Sequence, residues 1–298
     1  MKKIKKVFQY ENIGILFVLP ALIYMFIFVG LPILDNIKLS FQDVTAANLV
    51  RGEKHFVGFN NYLDIFNDSV FIRSLINTLV FTVCCLVVQF AIGFALAVFF
   101  SKKFSFAKPV RGILLIPWMI PITVTALIFK LLFATDIGVL NYILKSLHLI
   151  SENIEWLTTP KTAMFSLIVA NIWIGIPFNM ILISSGLTTI PKELYESAAI
   201  DGATKRQSFF KITLPMLRPT IESVLILGFI YTFKVYDLVY VMTSGGPVNS
   251  THMLSTYSYK LSFEMFKYSK GSAVANILLV ILLIVGAFYL RGTKEENT

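Results

Sequence analysis

The sequence predicts an all-α membrane protein with six transmembrane helices, and three observations carry that prediction. Of 298 residues, 56% are hydrophobic and only 14% charged, with a mean hydropathy of +0.74. A soluble domain needs about 25% charged residues to clothe its surface, so much of this surface faces something other than water. The apolar residues fall in runs long enough for helices of about 20 residues, the length that crosses a hydrocarbon core of roughly 30 Å. The basic residues fall unevenly between those runs, as they do where loops lie on opposite sides of a membrane.

In order, the predicted spans cover about 12–34, 74–100, 111–133, 163–186, 219–243 and 271–290. Before the first, Lys2, Lys3, Lys5 and Lys6 imitate the start of a signal peptide, but the run is about twice the usual apolar length and lacks a small-residue cleavage site, so it is expected to stay as a helix. In the third, Pro117 and Pro121, and in the fourth, Pro177, interrupt the backbone ladder and let a helix bend around a cavity. The fifth carries Lys234 and Asp237, which on one continuous helix would stand three residues apart and can form a structural pair; gating or contact with substrate is the alternative.

Segments 1–12, 101–111, 186–218 and 291–298 hold 15 Lys and Arg, against 9 in segments 35–73, 135–161 and 244–271. The first set is therefore expected in the cytoplasm, with both termini. This distribution also accounts for the net charge of +9 without nucleic acid, since the excess is spread over four segments instead of one patch. Cys84 and Cys85, adjacent in an apolar run, offer neither a disulfide framework nor a metal site. His55, His148 and His252 stand apart, with no second ligand at metal spacing, which argues against a membrane-embedded enzyme. The tails and loops are too short for an independent core, so residues 1–298 are expected to form a single membrane domain.

The segment 187–218 is too long for a simple turn and carries its own helix signals. Pro191 fits a first helical position, Glu193 and Glu196 favour the positive end of the dipole, and Gly202 can end the helix, predicting one over about 191–201. Tyr195, Ala198, Ala199 and Gly202 share a face, flanked by Ser197 and Ala203; side chains that small suit insertion into a protein groove better than onto lipid. Thr204-Lys205-Arg206-Gln207 is a capping box that starts a second helix, expected to run through Phe209, Phe210 and Ile212 until Pro215 stops it.

Within the membrane, Asn171, Gly175 and Asn179 recur every fourth residue on the fourth span, with Phe178 beside them. Amides, a gap and an aromatic on one stripe suit a sugar, whose hydroxyls bond amides and whose C–H face packs on a ring; interhelical hydrogen bonding is the alternative.

Glu196-Ser197-Ala198, three residues, Gly202, nine residues, then Ile212-Thr213-Leu214-Pro215 resembles the cytoplasmic loop motif of binding-protein-dependent ABC importer permeases, departing only at Ser197. Phe56-Val57-Gly58-Phe59-Asn60-Asn61-Tyr62, Glu193-Leu194-Tyr195-Glu196, Tyr236-Asp237-Leu238-Val239-Tyr240 and Gly245-Gly246-Pro247 are similar to the carbohydrate-uptake branch, in particular to the first permease subunits of maltose, lactose and glycerol-phosphate importers. The resemblance implies the type I permease fold in a bacterial cell membrane. It also implies a heterodimer with a second permease, two cytoplasmic ATPases that bind ATP and Mg, and an extracytoplasmic sugar-binding protein. The 191–201 helix would be the coupling helix, with Glu196, Ser197, Ala198, Ala199, Asp201, Gly202, Ala203, Ile212, Leu214 and Pro215 forming the ATPase-coupling loop. The face of Asn171, Gly175 and Phe178 would line the substrate pathway with Gly228, Thr232 and Val235, where the branch often carries amides at the last two positions; Tyr231 and Tyr236 stand by to replace them. No G-x-x-x-x-G-K-[ST] stretch is present, so this chain is expected to have no cofactor and no catalytic residues of its own. Import of glycerol phosphate, a polyol or another solute by the same machinery stays open, as does an ion-coupled secondary carrier.

Overall fold

The computed structural model describes residues 10–52, 54–102 and 106–295. The basic cluster Lys2, Lys3, Lys5 and Lys6 lies outside the described residues. The chain folds as two compact units: one runs up to Asn67 and takes in Ser258–Asn276, the other comprises Asp68–Tyr257 and the chain from Ile277 onward.

The first unit opens with α1 (Tyr10–Met25), a π turn (Phe26–Gly30) and α2 (Leu31–Ser40), which together contain the apolar stretch Phe17–Ser40. None of that stretch's most apolar window is buried, as befits side chains whose solvent is lipid. A two-residue antiparallel pair, β1 (Gln42–Asp43) with β2 (His55–Phe56), brackets α3 (Ala46–Arg51), and α4 (Asn60–Phe66) follows. Asn61 pins this corner, its amide donating to the Ser40 carbonyl at 2.9 Å and the Gln42 carbonyl at 2.8 Å. The Asn36 amide donates to Asn276 at 2.7 Å, and Lys270 pairs with Asp64 at 2.7 Å, so the start of the last long helix belongs to this unit.

The second unit is built on α5 (Ser69–Phe100) and α9 (Pro160–Thr189). Between them lie α6 (Ala107–Met119), α7 (Ile122–Leu132) and the short α8 (Val139–Ser146). After α9 come α10 (Lys192–Ile200), α11 (Lys205–Ser208), a π turn (Phe209–Thr213), α12 (Leu214–Met216), α13 (Arg218–Phe233), α14 (Asp237–Thr243) and α15 (Leu254–Tyr259). A third π turn (Lys260–Glu264) precedes the long final helix α16 (Tyr268–Glu295). Small residues let α5 and α9 approach closely: a Cβ on Gly93 would lie 2.5 Å from the Asn179 Cβ, and one on Gly175 2.3 Å from the Gln89 amide carbon. Around them pack Phe81, Phe129, Trp156, Leu167, Leu238 and Met253 in one apolar cluster, and Ala97, Met180, Ile183 and Val224 in another.

Among the described residues four helices are long and apolar enough to span a membrane: Phe17–Ser40, Ser69–Phe100, Pro160–Thr189 and Tyr268–Tyr289. They match the first, second, fourth and sixth predicted spans. The third, predicted as a helix over 111–133, is two helices meeting at 95°. Part of its cause is local: Pro121 disfavours a helical conformation in the residue before it, and Ile120 is extended at φ −78°, ψ 133°. The same chemistry at Ile190-Pro191 ends α9, so Pro191 caps α10 instead of entering it.

The fifth span, predicted over 219–243, is also broken. Its 16-residue α13 reaches only about 24 Å, ends at Phe233, and restarts as α14 at Asp237. The Val235 carbonyl freed by the break accepts a hydrogen bond from the Ser255 hydroxyl. Lys234 and Asp237 therefore do not share a helix, and they form no ion pair. Pro215, expected to stop the second loop helix, instead stands at the start of α12, directly after a π turn; the bend, 59°, comes between Met216 and Arg218.

Candidate functional site

The break in each of two spans opens one cavity in the second unit, with a volume of about 430 Å³. Gln89 of α5 closes one side; Trp118, Ile120 and Ile122 come from the bend between α6 and α7. From α9 come Asn171, Ile174, Gly175 and Phe178, and from α13 and the segment after it come Gly228, Tyr231, Thr232, Lys234, Val235 and Tyr236, with Asp237 at the edge.

Three aromatic rings form a continuous wall. Trp118 and Phe178 have centroids 6.4 Å apart, and Phe178 meets Tyr231 edge to face at 5.8 Å. The Lys234 ammonium extends the series, 5.2 Å from the Tyr231 ring centre, a cation–π distance. In the same lining, Gln89 donates its amide nitrogen to the Asn171 carbonyl at 2.8 Å. Aromatic faces beside a few fixed polar groups are what a site needs to hold a solute that is apolar on its C–H faces and polar around its rim.

Eight of the nine residues expected in the pathway line this cavity: Asn171, Gly175, Phe178, Gly228, Tyr231, Thr232, Val235 and Tyr236. Asn179 does not. It is 1% exposed, donates to the Gly175 carbonyl of its own helix at 2.9 Å, and packs its Cβ over Gly93. The four-residue spacing misled, because each residue turns a helix by about 100°; eight residues carry Asn179 about 80° away from Asn171, whereas Phe178 stays within about 20°. Gln89 and Trp118 escaped the sequence reading. Gln89 was visible as an amide in the middle of a charge-free run, but only the packing of α5 on Gly175 reveals what it faces.

The loop between α9 and α13 has the local structure its residues dictate. At the end of α10, Gly202 adopts φ +77°, and the Gly202 and Ala203 amides reach back to the Ala199 and Ala198 carbonyls at 3.1 and 2.9 Å, a Schellman ending. The capping box forms in both directions, Thr204 N–H to the Gln207 side chain at 2.7 Å and Gln207 N–H to the Thr204 hydroxyl at 3.3 Å. Ile212, Leu214 and Pro215 continue the chain toward α13.

The expected small-residue face is rotated. Tyr195 bonds the Thr213 hydroxyl at 2.8 Å and turns, with Ala198, partly inward, leaving Glu196, Ser197, Ala199, Asp201 and Gly202 exposed and Ala203 half-buried. Ile200, which the sequence reading passed over, is 87% exposed on this helix.

One polar contact lies at the start of α5. Asp68 caps that helix by accepting from the Val70 amide at 2.8 Å, and the buried Tyr257 hydroxyl donates to the same carboxylate. Burial first, and then the Asp68 bond and charge, hold the Tyr257 hydroxyl above its ordinary value of 10.0.

Residues 89–292 match the family described as binding-protein-dependent transport system inner membrane component. The chain is 34% identical to the sulfoquinovosyl glycerol transport system permease protein of Agrobacterium fabrum, over 96% of this chain and 91% of that protein. It is 33% identical to the trehalose/maltose transport system permease protein of Thermococcus litoralis, over 95% and 94%. A chain in the crystal structure of a bacterial alginate ABC transporter, in complex with an alginate pentasaccharide-bound periplasmic protein, superimposes with a TM-score of 0.80 at 26% identity, covering 97% of this chain and 94% of that one. With its broken spans, cavity and intervening loop helix, this multi-pass chain belongs to the family of inner membrane components of binding-protein-dependent transport systems.

Proposed function

We propose that this chain is a permease subunit of an ATP-driven importer that carries a sugar or oligosaccharide across the bacterial cell membrane. The observation that carries the reading is the cavity itself: its lining combines the Trp118, Phe178 and Tyr231 rings with Gln89 and Asn171, a pairing of stacking surface with hydrogen-bonding groups that suits a pyranose. The names of the trehalose/maltose and sulfoquinovosyl glycerol relatives support a carbohydrate cargo.

The remaining parts follow from what this chain does not supply. A second permease completes the pathway, two cytoplasmic ATPases bind ATP and Mg, and an extracytoplasmic sugar-binding protein delivers the cargo. Helix α10, with Glu196, Ser197, Ala199 and Ile200 facing outward, sits in a groove of an ATPase. Closure of the ATPase pair pushes on the loop, and the push reaches the cavity through α9 and α13, the helices on either side of it. The ATPase thereby biases a two-state pathway, as a ligand biases any conformational equilibrium. Both termini lie in the cytoplasm on this reading. Lys234 in the cavity wall favours a second reading, an acidic sugar, since an ammonium there attracts a carboxylate or sulfonate.

Gentle detergent extraction of the tagged chain, followed by reconstitution, tests this. Recovery of a second permease and an ATPase, with ATP hydrolysis stimulated by binding protein plus one neutral or acidic sugar, is the expected result. Purification of the chain alone, with uptake that proceeds without ATP, overturns it.

A further inference from the structure

We infer that Gln89 is a specificity residue of the cavity, one that accepts a hydrogen bond from a hydroxyl of the carried sugar. This rests on the cavity being the sugar's path. Gln89 is 3% exposed and lines the cavity from α5, the helix that no pathway expectation included.

Chemistry fixes which way its amide points. A backbone carbonyl only accepts, so the bond of 2.8 Å to the Asn171 carbonyl must come from Nε2. The Gln89 Oε1 is thereby turned away from that carbonyl. It carries no hydrogen bond to any described residue and is not sealed inside the protein, so it opens on the cavity that Gln89 lines. Gly175 makes this position possible: its missing side chain leaves room for the amide, whose carbon, nitrogen and oxygen all lie within 2.5 Å of where a Cβ would be. Held by a helix carbonyl on one side and by the backbone of α9 beneath, the acceptor is preorganised and has little rotamer freedom left to lose on binding.

Among the polar groups of this lining, an amide oxygen whose own nitrogen is already bonded selects by hydrogen-bond sense. A sugar hydroxyl donates to it; a carboxylate or sulfonate oxygen is repelled by it. Gln89 thus favours a neutral, hydroxyl-bearing ring beside it, while any acidic group of the cargo is drawn to the exposed Lys234 of the same lining. The cost of leaving a buried acceptor unpaired makes such a site discriminate strongly against an analogue that lacks the hydroxyl.

The test uses the reconstituted complex with its binding protein and labelled maltose, trehalose and, as an acidic probe, alginate pentasaccharide, followed by monodeoxy analogues of whichever sugar is taken up. Q89M, nearly equal in volume, and Q89A as a second variant are each expected to raise the apparent KM for uptake about tenfold, the range of one hydrogen bond in a closed site. The decisive readout is coupling. One monodeoxy analogue should cost the wild type about tenfold and cost Q89M or Q89A nothing further, while the other analogues keep their penalties. A merely structural role instead multiplies every analogue by one common factor, and that result overturns the assignment. Should the assembled, ATPase-active wild-type complex take up none of the three sugars, the sugar reading itself falls, and Gln89's role with it.

Discussion

Replacing Gly93 by alanine tests the packing on which the cavity depends. The added Cβ would lie 2.5 Å from the Asn179 Cβ, 3.1 Å from the Met180 amide nitrogen and 3.2 Å from the Ile176 carbonyl. Ordinary contact begins at 3.4 Å, so α5 and α9 must part by about 0.9 Å at this level. The obstacles are backbone atoms and a Cβ, not the movable tip of a long side chain, which places the cost at the upper end of the overpacking range, about 3 kcal/mol. Alanine in a helix interior returns about 1 kcal/mol over glycine, leaving a net loss of about 2 kcal/mol. Gly112 on α6 is the matched control, because a Cβ there meets nothing within 4 Å. G112A should therefore gain up to about 1 kcal/mol, and the two variants should differ by about 3 kcal/mol. Unfolding of the detergent-solubilised chain, followed by circular dichroism against temperature, measures the order of the two. The contact between α5 and α9 is refuted if G93A unfolds at or above the temperature of G112A.

Three further outcomes are expected. G202A forces a side chain into φ +77°, at a cost of about 1–2 kcal/mol to the end of α10; it and E196A should abolish ATP-driven uptake while both permeases still co-purify, and normal uptake by both variants would remove α10 from the coupling. N171A and F178A should change the apparent affinity for the sugar or its stimulation of ATP hydrolysis, and unaltered values in both assays would empty the proposed pocket. The raised Tyr257 hydroxyl binds its proton more tightly folded than unfolded, so its contribution is fully present below pH 10.0 and is lost as pH rises above that; thermal stability should fall above that pH, and Y257F should flatten the fall, which an unchanged profile in the variant would contradict.

The four unbroken spans were legible because a run of about 20 uncharged apolar residues has few other fates. The broken ones were legible only in part, and the two cases differ instructively. Pro121 signals an interruption, since it disfavours a helical Ile120, but Pro117 and Pro177 stand inside unbroken helices, and the 95° angle depends on what α7 packs against after the break, which no local rule contains. Lys234 and Asp237 announced something costly in an apolar run, and a pair on one helix was the economical expectation. What the sequence did not reveal was Ser255, 20 residues on, ready to take the Val235 carbonyl and so make the break tolerable.

The two rotated residues teach the same lesson at smaller scale. Asn179 and Tyr195 were each placed by spacing along one helix, and each turned out to answer to a different helix: Asn179 to Gly93 on α5, Tyr195 to Thr213 beyond the capping box. A spacing of four drifts off the face over two steps, as at Asn179, and even where spacing holds only the neighbour decides which face is inside. That is why Phe178 and Tyr231 could be recognised from sequence and Gln89 could not. The aromatics declare their chemistry wherever they point, whereas a single amide in an apolar helix serves equally as interhelical glue or as a ligand. Its role turns on where its second polar atom goes once the first is bonded, and one carbonyl on the neighbouring helix fixes which atom that is.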